Sequence, residues 1–121
     1  MTVFITKDDQ KQIEKVMKQI VDNMVGIFGN ELRQVILFGS YARGEQAEYS
    51  DMDVMVLVNV SNEALSEYSD ALAEVMTAIS LEYGVLPTII DKKNYDHFYH
   101  WMPILPFYHN VKAEGTEFYA N

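Results

Sequence analysis

The chain has 121 residues, 49% of them apolar and 22% charged, which fits one globular domain over residues 1–121 with a real core and excludes a disordered or fibrous class. It contains no cysteine, so thiol catalysis, thiolate metal sites and disulfide staples are ruled out. A net charge of −9 with scattered basic residues argues against direct nucleic-acid binding, because phosphate contacts need clustered Lys and Arg.

Residues 8–28 read as a helix, because Ile13, Val16, Met17, Ile20, Met24 and Ile27 recur at helical spacing. Thr6 is the expected N-cap with Asp9 three positions on, and Gly26 and Gly29-Asn30 mark the end. A short buried strand is expected at 34–38, then a brief helical turn at 41–45 and a polar loop at 46–50. The second strand, 52–58, is apolar on both faces, as a central strand should be. Ser61-Asn62 caps a helix that runs to Tyr83 and is closed by Gly84. A third strand is expected at 85–90, with Pro87 placing it at an edge or early in the strand. Asp91 or Asn94 begins a short helix through His100, Pro103 and Pro106 break the chain, and a helix at 106–114 stops at Gly115. Residues 116–119 add a final strand. The order predicts an α+β fold, a small mixed sheet of three to four strands with helices packed on it.

Function concentrates between the first two strands. Gly39-Ser40 sits where the first apolar run stops. A glycine lets the backbone approach a phosphate closely, and the serine hydroxyl and nearby N–H groups donate to its oxygens. By itself the dipeptide is equally an ordinary strand-ending turn. Asp51 and Asp53 open the second run, two residues apart, so an extended strand projects both from one face. A solvated pair at a strand entry is the plain alternative, but the run VMVLV that follows marks the strand as interior. There, two carboxylates repel and lose hydration unless a cation sits between them. A hard ion such as Mg²⁺ takes carboxylate oxygens while keeping waters and phosphates as its other ligands. Arg43 either neutralises phosphate charge with its guanidinium fork or pairs with Glu45, Glu48 or Asp51.

Gly-Ser, ten residues, then Asp-x-Asp, with a strand before and after, resembles the signature of the nucleotidyltransferase superfamily typified by DNA polymerase β. The chain length, Ala42-Arg43-Gly44 and the closing segment Asn110-Val111-Lys112-Ala113-Glu114-Gly115 are similar to its minimal (MNT) branch. The resemblance implies that Gly39 and Ser40 hold the β- and γ-phosphates of ATP and that Asp51 and Asp53 bind catalytic Mg²⁺. One departure stands out. Active members carry a third acid on the next strand, and here 85–90 holds no carboxylate. Asp91 at its end is either that acid or an N-cap for the following helix.

His97 and His100 stand at i, i+3, a spacing that can bind metal but lacks an evident third ligand. Eight of the fifteen Phe, Tyr and Trp residues fall between Tyr95 and Tyr119, where they either close the core over the sheet edge or form a protein interface. The chain ends almost as soon as the minimal core is complete, so the acceptor pocket is expected to be finished by another chain. MNT proteins of this size resemble the antitoxin of HEPN–MNT toxin–antitoxin pairs, which implies AMP transfer to a tyrosine of a HEPN-domain toxin. Two other readings stand beside it: an inactive MNT fold that neutralises its partner by binding, and a homodimer that modifies a small molecule of the aminoglycoside type. No run approaches the roughly 20 apolar residues of a membrane span and the N-terminus lacks a secretory pattern, so a cytoplasmic location is expected.

Overall fold

The computed structural model describes residues 7–39 and 51–121. Helix α1 (Lys7–Phe28) buries Ile13, Val16, Met17, Ile20, Met24 and Phe28, a stripe at the three-to-four-residue spacing that gathers side chains on one helix face. A 3-10 turn (Gly29–Glu31) leads into β1 (Leu32–Phe38). Strand β2 (Asp51–Val58) pairs antiparallel with β1 and parallel with β3 (Leu86–Asn94). A parallel pair cannot be closed by a tight turn and needs a long crossover. It is supplied by α2 (Asn62–Leu65), a 3-10 turn (Ser66–Tyr68) and α3 (Ser69–Tyr83). Helices α4 (Tyr95–Trp101) and α5 (Pro106–Glu114) then carry the chain to β4 (Thr116–Ala120), which pairs antiparallel with the free side of β1. The sheet order is β3-β2-β1-β4. This is the small mixed sheet of the α+β expectation.

Strand alternation sorts the side chains of β1 and β2 into two cores. Val35, Leu37, Met52, Val54, Val56 and Val58 face α1 together with Leu65, Leu72 and Ile79. On the other side Ile36, Phe38, Met55 and Leu57 meet Phe98 of α4 and Tyr108 and Val111 of α5. Phe98 and Tyr108 have ring centroids 4.9 Å apart. Part of the aromatic stretch therefore closes the core, as one of the two readings expects. Gln34 is the buried polar residue among those described. Its amide oxygen accepts from the Tyr99 hydroxyl at 2.6 Å, and its amide nitrogen donates to the Glu117 carboxylate. That network ties α4 to β1 and β4, and it satisfies groups that would be costly to leave unpaired away from water.

Several local expectations are met. Ser61 caps α2 by accepting from the Ala64 N–H at 3.3 Å, and Gly84 ends α3 with φ +69°. Pro87 lies on β3, an edge strand. Others need correction. The helix expected from Asn62 to Tyr83 is interrupted by the 3-10 turn at Ser66–Tyr68. Strand β3 runs on to Asn94 and α4 starts at Tyr95, so of the two expected starts Asn94 stands directly before the helix and Asp91 lies inside the strand. Strand β1 begins two residues earlier than expected, with a register shift between Leu32 and Gln34. The Thr6 cap, the helical turn at 41–45 and the loop at 46–50 lie outside the described residues.

Candidate active site

Residues of the sequence motif converge at one end of the sheet, where β1 stops and β2 and β3 begin. In the register, Phe38 is level with Asp53, and Asp53 is level with Thr88 on the other side. Gly39 follows Phe38 with φ +76°, a left-handed conformation that residues with a Cβ adopt at a penalty. A Cβ placed there would stand 3.3 Å from the Asp53 carboxyl carbon and closer still to Oδ2. The missing side chain of Gly39 is thus the room that the Asp53 carboxylate occupies. Two sequence candidates separated by the whole turn region are brought into contact.

Asp53 is half-buried, while Met52 and Val54 on either side of it are fully buried in the first core. It opens the face of β2 that continues as Met55 and Leu57 under α4 and α5. Position 51, two residues earlier on the same strand, shares that face by alternation. Strand β3 skips one residue between Ile89 and Asp91, so position 91 pairs with Met55 and returns to the face of Asp53. It lies two strand positions deeper than Asp53, about 7 Å along the strand. This corrects the expectation for Asp91: it is an interior strand position, and an N-cap role does not account for it. The position level with Asp53 is Thr88. Ser40 and Arg43 lie outside the described residues.

One wall of the site was not anticipated. Helix α5 begins with Pro106 at its first turn, and Phe107 beside it packs edge-on against Phe38, ring centroids 5.8 Å apart. The N-terminal turn of α5 therefore overhangs the end of β1 next to Gly39. The Pro106-Phe107 pair, a helix-starting proline followed by an aromatic, was the available signal. His97 and His100 do not join this site; they pack against the rings of Tyr108 and Trp101 at 6.4 and 5.0 Å.

A half-buried carboxylate beside a glycine, at the edge of a low-dielectric face, fits a hard divalent cation carrying phosphate oxygens. A cation would offset the carboxylate's charge at this partly desolvated position. A carboxylate oxygen is the donor type that Mg²⁺ takes.

Comparison with known proteins agrees with this geometry. Residues 10–105 match the family model described as a nucleotidyltransferase domain. The chain belongs to that family. Among its relatives in Methanocaldococcus jannaschii, the "Putative protein adenylyltransferase MJ0604" is 30% identical over 108 residues, covering 88% of this chain and 97% of the relative. The similarly named MJ0141 is 37% identical over 83 residues, covering 68% and 82%. Among solved structures, a toxin–antitoxin crystallised with AMP-PNP superposes with a TM-score of 0.55 at 18% identity, covering 86% of this chain and 73% of that one. A mutant of the toxin–antitoxin MntA-HpeT superposes at 0.54, also at 18% identity, covering 88% and 72%. Among the described residues, no helix is long and apolar enough to cross a membrane.

Proposed function

We propose that this chain is a single-domain, Mg²⁺-dependent nucleotidyltransferase that moves AMP from ATP onto a tyrosine of a partner HEPN-type toxin in the cytoplasm, and so acts as its antitoxin. The observation that carries the reading is the contact between Gly39 and the Asp53 carboxylate at the mouth of the sheet. The protein adenylyltransferase names of its relatives support the reaction class. The toxin–antitoxin neighbours, one with AMP-PNP, support the partner and the nucleotide.

The roles are those the sequence motif implies, with the position of Gly39 beside Asp53 in support. The turn at Gly39 and Ser40 receives the β- and γ-phosphates, and Arg43 offsets their charge. Asp51 and Asp53 would hold the metal, which would supply charge neutralisation for the phosphates and the departing pyrophosphate. The acceptor oxygen attacks the α-phosphorus as the bond to the β-phosphate oxygen breaks, and pyrophosphate leaves on the opposite side. The hydroxyl proton passes to a base, for which Asp91 on the same face is the candidate. The protein's part is mainly placement and charge neutralisation.

Incubation with ATP, Mg²⁺ and the toxin should add one AMP to the toxin, read by intact-mass spectrometry. Asp53→Asn should abolish the addition without unfolding the chain. A toxin of unchanged mass despite tight binding would defeat the reading.

One observation favours a second reading. The β3 position level with Asp53 is a threonine, and the nearest acid on that strand lies deeper. A protein of this fold that neutralises its partner by binding alone would fit such a site. Under that reading, toxin neutralisation survives the double change Asp51→Asn and Asp53→Asn; under the first it is lost.

A further inference from the structure

Among the described residues, six large apolar side chains are exposed, and four of them lie between the last residue of α4 and the second of α5. They are Trp101 (38% exposed), Ile104 (67%), Leu105 (39%) and Phe107 (45%). Single exposed apolar residues are ordinary, but four within seven residues of one helix–turn–helix segment point to a surface that something covers. The segment is also held in shape. The N–H groups of Ile104 and Leu105 both donate to the Trp101 carbonyl at 3.0 and 2.9 Å, and the Met102 N–H donates to Phe98 at 2.9 Å. A surface already fixed in conformation loses little freedom when a partner docks. At its far end Phe107 rests on Phe38, the residue before Gly39, so the patch runs up to the candidate active site.

Charge selects among occupants. With a net charge of −9, two copies meeting face to face would bring like charges together, and a nucleic acid would be repelled. A basic protein is drawn to such a body and can bury the apolar patch at the centre of the contact. A small-molecule acceptor needs no apolar surface of this length beside the site.

We propose that Trp101, Ile104, Leu105 and Phe107 form the docking surface for the acceptor itself, a separate basic polypeptide seated so that its hydroxyl reaches the corner between Gly39 and Asp53. The inference rests on the transferase reading above and adds where the acceptor binds. It makes the patch a determinant of acceptor affinity and leaves nucleotide affinity to the turn and the acids.

The test uses the full chain, [α-³²P]ATP with Mg²⁺, and the polypeptide encoded by the adjoining reading frame as the acceptor probe. Ile104→Lys and Leu105→Ser change exposed side chains and should each raise the acceptor KM about tenfold or more, with the ATP KM unmoved. Leu81→Lys, 83% exposed on α3, is the control and should behave as wild type. As a check that does not depend on a disruptive variant, a photo-crosslinking residue at position 104 should capture the acceptor and one at position 81 should not. An unchanged acceptor KM for the patch variants, or capture from 81 as readily as from 104, overturns the docking surface and leaves the transferase reading standing. No labelling by the wild type, or equal labelling by Asp53→Asn, overturns the transferase reading instead. A wild-type dimer that Ile104→Lys splits assigns the patch to a second copy and overturns the proposal.

Discussion

At Gly39 two demands meet on one atom. The backbone turns through φ +76°, and the Asp53 carboxylate fills the volume where a side chain would begin. Gly39→Ala should therefore act twice. The left-handed conformation costs about 1–2 kcal/mol for an L-residue, which urea denaturation would read. The displaced Asp53 should lower AMP transfer by more than that loss of stability explains, which assays well below the unfolding midpoint would separate. The Gly-Ser and Asp-x-Asp spacing made these residues legible in the sequence, because a strand end and a strand start are both visible as edges of apolar runs. The relation of Thr88 and Asp91 to them was not legible. It depends on one skipped residue between Ile89 and Asp91 on a neighbouring strand, and nothing local to residues 86–94 encodes the pairing partner opposite each position.

Among the elements, those with strong periodicity were readable and those decided by pairing were not. Helix α1 announced itself through its apolar stripe, and β2 through an apolar run with no polar face. Strand β3 defeated local reading at its end. Asp91, Lys92, Lys93 and Asn94 are poor strand formers, yet they extend along Met55, Leu57 and their neighbours on β2. Tertiary pairing there overrides propensity. The opposite side of the sheet depends on α4, whose Phe98 is fully buried among Met55, Leu57 and Tyr108. Phe98→Ala should cost about 3–5 kcal/mol, seen as a lower denaturation midpoint. Because α4 and α5 share that core, the same change should also loosen Phe107 over Phe38 and weaken acceptor binding.

For the molecule as a whole, electrostatics and shape pull in one direction. An acidic body presents four exposed large apolar side chains beside its proposed chemistry, which suits fast encounter with an oppositely charged protein followed by dry contact. Raising the salt from about 50 to 500 mM should slow association with the acceptor by roughly tenfold or more, measured by stopped-flow, while dissociation changes little. The location of that surface could not be read from the aromatic count near the C-terminus, because the same stretch supplies both buried rings, Phe98 and Tyr108, and exposed ones, Trp101 and Phe107. Only the packing of two helices on one sheet face divides them.

Strand β2 is hydrogen-bonded along both of its sides, to β1 and to β3, and both of its faces are covered. The amide protons from Val54 to Leu57 should therefore trade with deuterium only when the entire molecule opens. Any slowing of that exchange when nucleotide is added would gauge ligand affinity through mass action on the unfolded state, giving a calibration of occupancy that needs neither turnover nor an acceptor.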